Sequence, residues 1–123
     1  MKGVLIVGHG SRQKSTERIL ESVVEMVRPA LSGARVEIAY MEFGARNISD
    51  GLDALVRQGA EKIAVVPYFL FDGVHIREDI PQALKAFQVS NPHIEIELGR
   101  PFGVDERLAA ILSDRAREVL GRL

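Results

Sequence analysis

The chain has 123 residues, 46% of them apolar and 27% charged, which suits one soluble domain (residues 1–123) with a single modest core. Sixteen Lys and Arg against seventeen Asp and Glu leave no global positive field, which argues against nucleic-acid binding. The absence of cysteine excludes disulfides, thiolate catalysis and sulfur-ligated metals, so any metal here must accept imidazole and carboxylate.

Met1-Lys2-Gly3 runs into a strand with no leader, and no apolar stretch approaches the roughly 20 residues of a membrane span. A cytoplasmic location away from membranes is therefore expected. Val4 to Val7 is apolar on both faces and reads as a central strand, ending in the turn Gly8-His9-Gly10-Ser11. Ile19, Leu20, Val23, Val24, Val27 and Leu31 then recur at helical spacing. Glu17, Arg18, Glu21, Glu25 and Arg28 lie between them, which predicts a helix from about 14 to 31 lying against the sheet. Arg35 to Met41 reads as a second strand, followed by Glu42-Phe43-Gly44. A second helix, capped from Asn47 to Ser49, runs to about Gln58.

Lys62 to Pro67 is the third strand, and Pro67, which has no ladder donor, marks the end of regular pairing. Apolar residues continue through Tyr68-Phe69-Leu70-Phe71 to a turn at Asp72-Gly73. Val74 to Pro81 leads into a third helix with Ile80, Leu84 and Phe87 inward. Ile94 to Leu98 is the fourth strand, and a last helix starts near Asp105 and carries Leu108, Ile111, Leu112, Val119 and Leu120. The β-α alternation with short connections predicts a three-layer α/β/α domain around a four-stranded parallel sheet of order 2-1-3-4, with helices on both faces. That order sets the polar switch point between the ends of strands 1 and 3.

Three candidates for chemistry follow strand ends on that edge: His9, Glu42 and His75. Two imidazoles and a carboxylate suit a divalent first-row metal, although they lack the close spacing of a helical ligand motif. Each has a plainer alternative: a turn-capping histidine for His9, a surface histidine for His75, and an ion pair with a nearby arginine for Glu42. His93, at a strand start on the opposite edge, is expected to face solvent. The glycine turn offers N–H groups for an anion, but it is neither a dinucleotide fingerprint nor a P-loop, and Ser11 lacks the elbow of a hydrolase nucleophile. Arg12, Lys14, Arg46 and Arg77 follow the same strand ends. Basic residues at helix starts oppose the helix dipole, which favours an acidic ligand. Tyr68 to Phe71 and Val74 can wall a hydrophobic cleft or a subunit interface.

Val7-Gly8-His9-Gly10-Ser11-Arg12, Met41-Glu42-Phe43, and Val65 to Leu70 running into Gly73-Val74-His75-Ile76-Arg77-Glu78-Asp79-Ile80-Pro81 resemble the small form of the CbiX class of chelatases. These are the sirohydrochlorin cobaltochelatases with their ferrochelatase and nickel-chelatase relatives. The resemblance covers nearly the whole chain and implies a chelatase-like fold, related to half of the larger two-domain enzymes, and pairing as a homodimer. It implies insertion of Co²⁺, alternatively Fe²⁺ or Ni²⁺, into sirohydrochlorin, with no nucleotide and no prosthetic group. His9 and His75 would flank the insertion site as metal ligands and proton acceptors, and Glu42 would hold charge on the cation and relay protons. Ser11, Arg12, Arg46, Phe71, Gly73 and Val74 are expected to contact the flat, carboxylate-rimmed ring. A non-enzymatic metal or tetrapyrrole carrier is a weighed alternative. So is a regulatory domain, which would leave His9, Glu42 and His75 dispersed.

Overall fold

In the computed structural model, which describes residues 1–123, the first apolar run lies in the central strand β1 (Lys2–Gly8). It pairs in parallel with β2 (Ala34–Tyr40) on one side and β3 (Lys62–Pro67) on the other. The edge strand β4 (Glu95–Leu98) pairs with β3, so the order is β2-β1-β3-β4, as the alternation predicts. Alternation along β1 explains why it is apolar throughout. Leu5 and Val7 enter one core, while Ile6, with Val4 against it, enters the other.

Four helices connect or follow the strands: α1 (Lys14–Val27), α2 (Ile48–Arg57), α3 (Ile80–Ser90) and α4 (Glu106–Leu120). The first helix is shorter than its periodicity predicts, because Arg28–Leu31 tightens into a 3₁₀ turn that contains Pro29, which has no N–H to donate. The start of α2 is as expected, with the Asn47 side chain accepting from the Asp50 N–H at 2.8 Å. No helix is long and apolar enough to cross a membrane.

The two faces of the sheet are unequally covered. Against Leu5, Val7 and Val65, α2 and α3 contribute Leu52, Leu55, Ile80, Leu84 and Phe87 to a core of 14 buried residues. On the other face α1 alone contributes Leu20 and Val24, and that core has 5. The last helix does not take the packed place expected for it. No residue of α4 is buried: Ile111 is 51% exposed and Leu112 73%. Its amphipathic pattern specifies a helix, but that pattern carries no address for the surface it should cover.

Close packing on the well-covered face generates a test. A Cβ added at Gly51 on α2 would lie 2.6 Å from Leu5 Cδ1 and 3.2 Å from Ala39 Cβ, both in the core beneath it. Gly51→Ala is expected to cost about 1–3 kcal/mol, the range for overpacking. The measurement is a urea titration, in which the midpoint should fall with no change in slope.

Candidate functional site

The strand ends are drawn together by main-chain hydrogen bonds that continue the ladders. Beyond β1 and β2, Met41 N–H donates to Gly8 O at 3.0 Å and Glu42 N–H to His9 O at 3.2 Å. On the opposite side Tyr68 N–H donates to Val7 O at 2.8 Å. Gly10 is the residue that permits this approach, since its φ is +97° and a Cβ there would run into the Glu42 carbonyl.

These bonds bring the three sequence candidates together rather than leaving them dispersed. His9 Nδ1 lies 3.7 Å from Glu42 Oε1. The rings of His9 and His75 meet edge to face with centroids 4.9 Å apart. Phe69 forms the floor, stacked on His9 at 6.1 Å and edge-on to His75 at 6.4 Å. The side chains of His9 and Glu42 are 55% and 49% exposed, so the site is an open surface and not an enclosed cavity. No three His, Asp or Glu side chains already close around one cation position.

His75 stands in a π-helical turn, His75–Asp79, that runs directly into α3. An α-helical turn there would aim the ring of Pro81 at the Arg77 carbonyl, and the wider π turn relieves that conflict. The turn also places Asp79 Oδ2 2.7 Å from His75 Nδ1. A carboxylate there accepts a hydrogen bond from Nδ1–H, and in the neutral ring this leaves the Nε2 lone pair free, the arrangement in which an imidazole ligates a metal or takes up a proton. Asp79 was not among the sequence candidates; its signal is its i+4 spacing from His75 at a helix start.

The other expected contacts divide. Phe71 and Val74 are exposed at 74% and 57%, and a Cβ at Gly73 would meet open space, so all three are available beside the histidines. Ser11 is half-buried and its Oγ accepts from Gln13 N–H at 3.1 Å. The Arg12 guanidinium lies 4.6 Å above the ring of Phe43, which is itself exposed and held at φ 56°. Arg46 is engaged elsewhere: its Nη1 donates to Glu37 Oε2, midway along β2, at 3.0 Å. Arg77 and His93 are both exposed.

One charged residue of α1 is buried. Glu17 is 5% exposed because the loop after β2 folds over it. Its Oε1 accepts from Ala45 N–H at 3.3 Å, and Lys14 Nζ is 3.8 Å from Oε2. Beside it Gly44 packs against the Tyr40 ring, where no Cβ would fit. The loop that carries Glu42 is thus fastened from below by a carboxylate and from the side by the main chain of Gly8 and His9.

Comparison with known proteins bears directly on this arrangement. The family model CbiX matches residues 3–119. The chain belongs to the CbiX family. A sirohydrochlorin ferrochelatase of Priestia megaterium is 36% identical over 118 residues, which are 96% of this chain and 44% of that protein. A sirohydrochlorin cobaltochelatase of Sulfurisphaera tokodaii is 34% identical over 120 residues, 98% of this chain and 95% of its own length. Among solved structures, the chelatase SirB of Bacillus subtilis subspecies spizizenii in complex with cobalt superposes with a TM-score of 0.91 at 33% identity, covering 96% of this chain and 50% of that one. This CbiX chain therefore spans about half or less of some relatives and nearly all of others.

Two measurements test the supports of the site. Nitrogen NMR of His75 should show the neutral ring protonated at Nδ1, and Asp79→Ala should abolish that bias without unfolding the chain. The second concerns the Tyr40 hydroxyl, which burial, with Glu17 and then Glu21 alongside, pushes up from 10.0 to about 12. The native state holds this proton more tightly than the unfolded chain does. Its contribution to stability is thus complete below about pH 10 and lost as the pH rises through about 12. Urea midpoints from about pH 9 upward should consequently fall more steeply for the parent than for Tyr40→Phe.

Proposed function

We propose that this chain catalyses insertion of a divalent cation into sirohydrochlorin, with His9 and His75 as the metal-handling and proton-accepting groups and Glu42 as their charged partner. The observation that carries the reading is the meeting of two imidazoles and a carboxylate on an aromatic floor, at an edge open enough for a flat macrocycle. The relatives named as sirohydrochlorin chelatases support the substrate class.

Insertion breaks two pyrrole N–H bonds, forms the metal–nitrogen bonds of the ring and releases two protons. The cation must first shed water, and a neutral imidazole nitrogen is a suitable replacement ligand. The free Nε2 of His75, set by Asp79, can hold the incoming cation or receive a pyrrole proton, and His9 can serve in the complementary part. Glu42 offsets the charge of the cation and of any imidazolium that forms beside it. Phe69, Phe71 and Val74 provide apolar contact for the ring. Arg12, Ser11 and the N–H groups around Gly10 would meet carboxylates at its rim.

Co²⁺ is the proposed cation, with Fe²⁺ or Ni²⁺ as alternatives. Imidazole and carboxylate donors do not discriminate sharply among these ions, and availability then decides. A ferrochelatase and a cobaltochelatase match this chain at nearly equal identity, which keeps iron in view.

The test is the change in visible absorption when the protein is mixed anaerobically with sirohydrochlorin and each cation in turn. Initial rates should be highest with Co²⁺, and His9→Ala and His75→Ala should each lower the rate by about 100-fold or more, the scale of losing a general base. Insertion by both variants at the parental rate would overturn the residue assignment, and tight binding of ring and metal with no insertion would identify a carrier instead.

A further inference from the structure

One charged side chain stands in the core with no part in the proposed chemistry. Glu17 is the only charged residue among the buried ones, on the face of α1 that also carries Leu20 and Val24. An apolar residue would continue that stripe. Only one of the two carboxylate oxygens is hydrogen-bonded. Oε1 accepts from Ala45 N–H at 3.3 Å, while Oε2 is buried with no hydrogen-bond partner, Lys14 Nζ standing 3.8 Å away. A carboxylate half-satisfied in this way opposes folding, because water binds both of its oxygens in the unfolded chain.

What Oε1 holds is the loop of Glu42. Residues 41–45 arch out from a neck closed by the Tyr40 N–H, which donates to Arg46 O at 2.9 Å. In the arch Phe43, next to Glu42, has φ 56°, in the left-handed region where a residue with a Cβ is strained. Such a segment keeps its shape only where the contacts around it over-determine it. Before Phe43 the main chain supplies them, through Met41 and Glu42 N–H groups bonded to Gly8 O and His9 O. After Phe43 the tether is Ala45 N–H, and Glu17 is the one side chain that bonds the main chain of residues 41–46. The Tyr40 hydroxyl donates to Glu17 O at 3.5 Å, and its ring packs against Gly44, so the tether has a fixed base.

We propose that Glu17 is a positioning residue, retained in the core at a cost in stability because it holds the strained loop in the form that sets Glu42 beside His9. Its consequence for rate rests on the proposed insertion; its effect on the loop does not. A carboxylate that acts at the reacting centre loses rate steeply when misplaced, since about 1 Å can cost about 100-fold. The apolar contacts proposed for the ring come from Phe69, Phe71 and Val74, in the segment that follows β3, and do not pass through this loop. A glutamate that only supported the fold would lower stability and activity together when removed, whereas a positioning one separates the two.

Glu17→Met replaces the carboxylate by an unbranched apolar side chain that suits the stripe, and leaves the N–H of exposed Ala45 to water. The urea midpoint should stay at or above the parental one, while kcat for insertion falls by about 10-fold or more and KM for sirohydrochlorin stays within about 3-fold. Glu17→Gln keeps an acceptor for Ala45 N–H and should bring kcat back near the parental value. Deuterium exchange, read without ring or cation, isolates the loop from the chemistry: in Glu17→Met the Glu42 and Ala45 amides should exchange about 10-fold faster, with those of β1 unchanged. A midpoint and kcat that fall together would overturn the proposal, as would parental kcat in Glu17→Met or unaltered exchange at Glu42. If the parental protein inserts no metal, the insertion reading fails, and the exchange and urea measurements still decide whether Glu17 holds the loop at the expense of stability.

Discussion

The site rests on a main-chain contact, the docking of the Glu42 loop on the Gly8-His9-Gly10 turn. Two hydrogen bonds carry the β1–β2 ladder past the ends of both strands, and a third fixes the start of the Tyr68 segment on the other side of β1. His9 is consequently located by backbone on both flanks, although its side chain is half exposed. A side chain at Gly10 would separate the loops, and with them the imidazole from the carboxylate. Glu17 completes the support by holding Ala45 from beneath, while its second oxygen is buried without a hydrogen-bond partner, Lys14 Nζ standing 3.8 Å away.

From this frame follows a division between what is fixed and what is left mobile. Backbone and buried groups set the positions of the strand ends, whereas the side chains that would meet a ring and a cation are solvated. His75 is the exception, since Asp79 holds its ring through Nδ1. A group oriented in this way presents the same nitrogen at every encounter, while His9 and Glu42 can adjust around it. Under the proposed insertion, one oriented donor with adjustable neighbours would suit both taking a cation from water and giving it up to a macrocycle.

Much of this was legible in the chain. The strands, their order and the convergence of His9, Glu42 and His75 follow from two-sided apolar runs, short crossovers and the switch-point rule. What escaped reading depended on contacts between distant segments. Glu17 stands three and seven residues before Leu20 and Val24, on their face of α1, but nothing near it in sequence shows that residues 41–46 will cover it. Arg46 follows a strand end like Arg12, but Glu37 on β2 is within its reach and engages it. Asp79 lay in view of the motif, and only the π turn reveals that it meets His75.

The misplacement of α4 has a different origin. Periodicity states that a helix must bury one face, and a right-handed crossover places a helix only when a further strand follows to fix its return. After β4 no strand follows in this sheet, so topology specifies the first three helices and leaves the fourth unplaced. The core is correspondingly lopsided, with 5 buried residues on one face of the sheet against 14 on the other. Main-chain bonds pin the segment from Gly99 to Gly103 to Val65, Phe69 and Leu70, and α4 departs from it with its apolar stripe exposed.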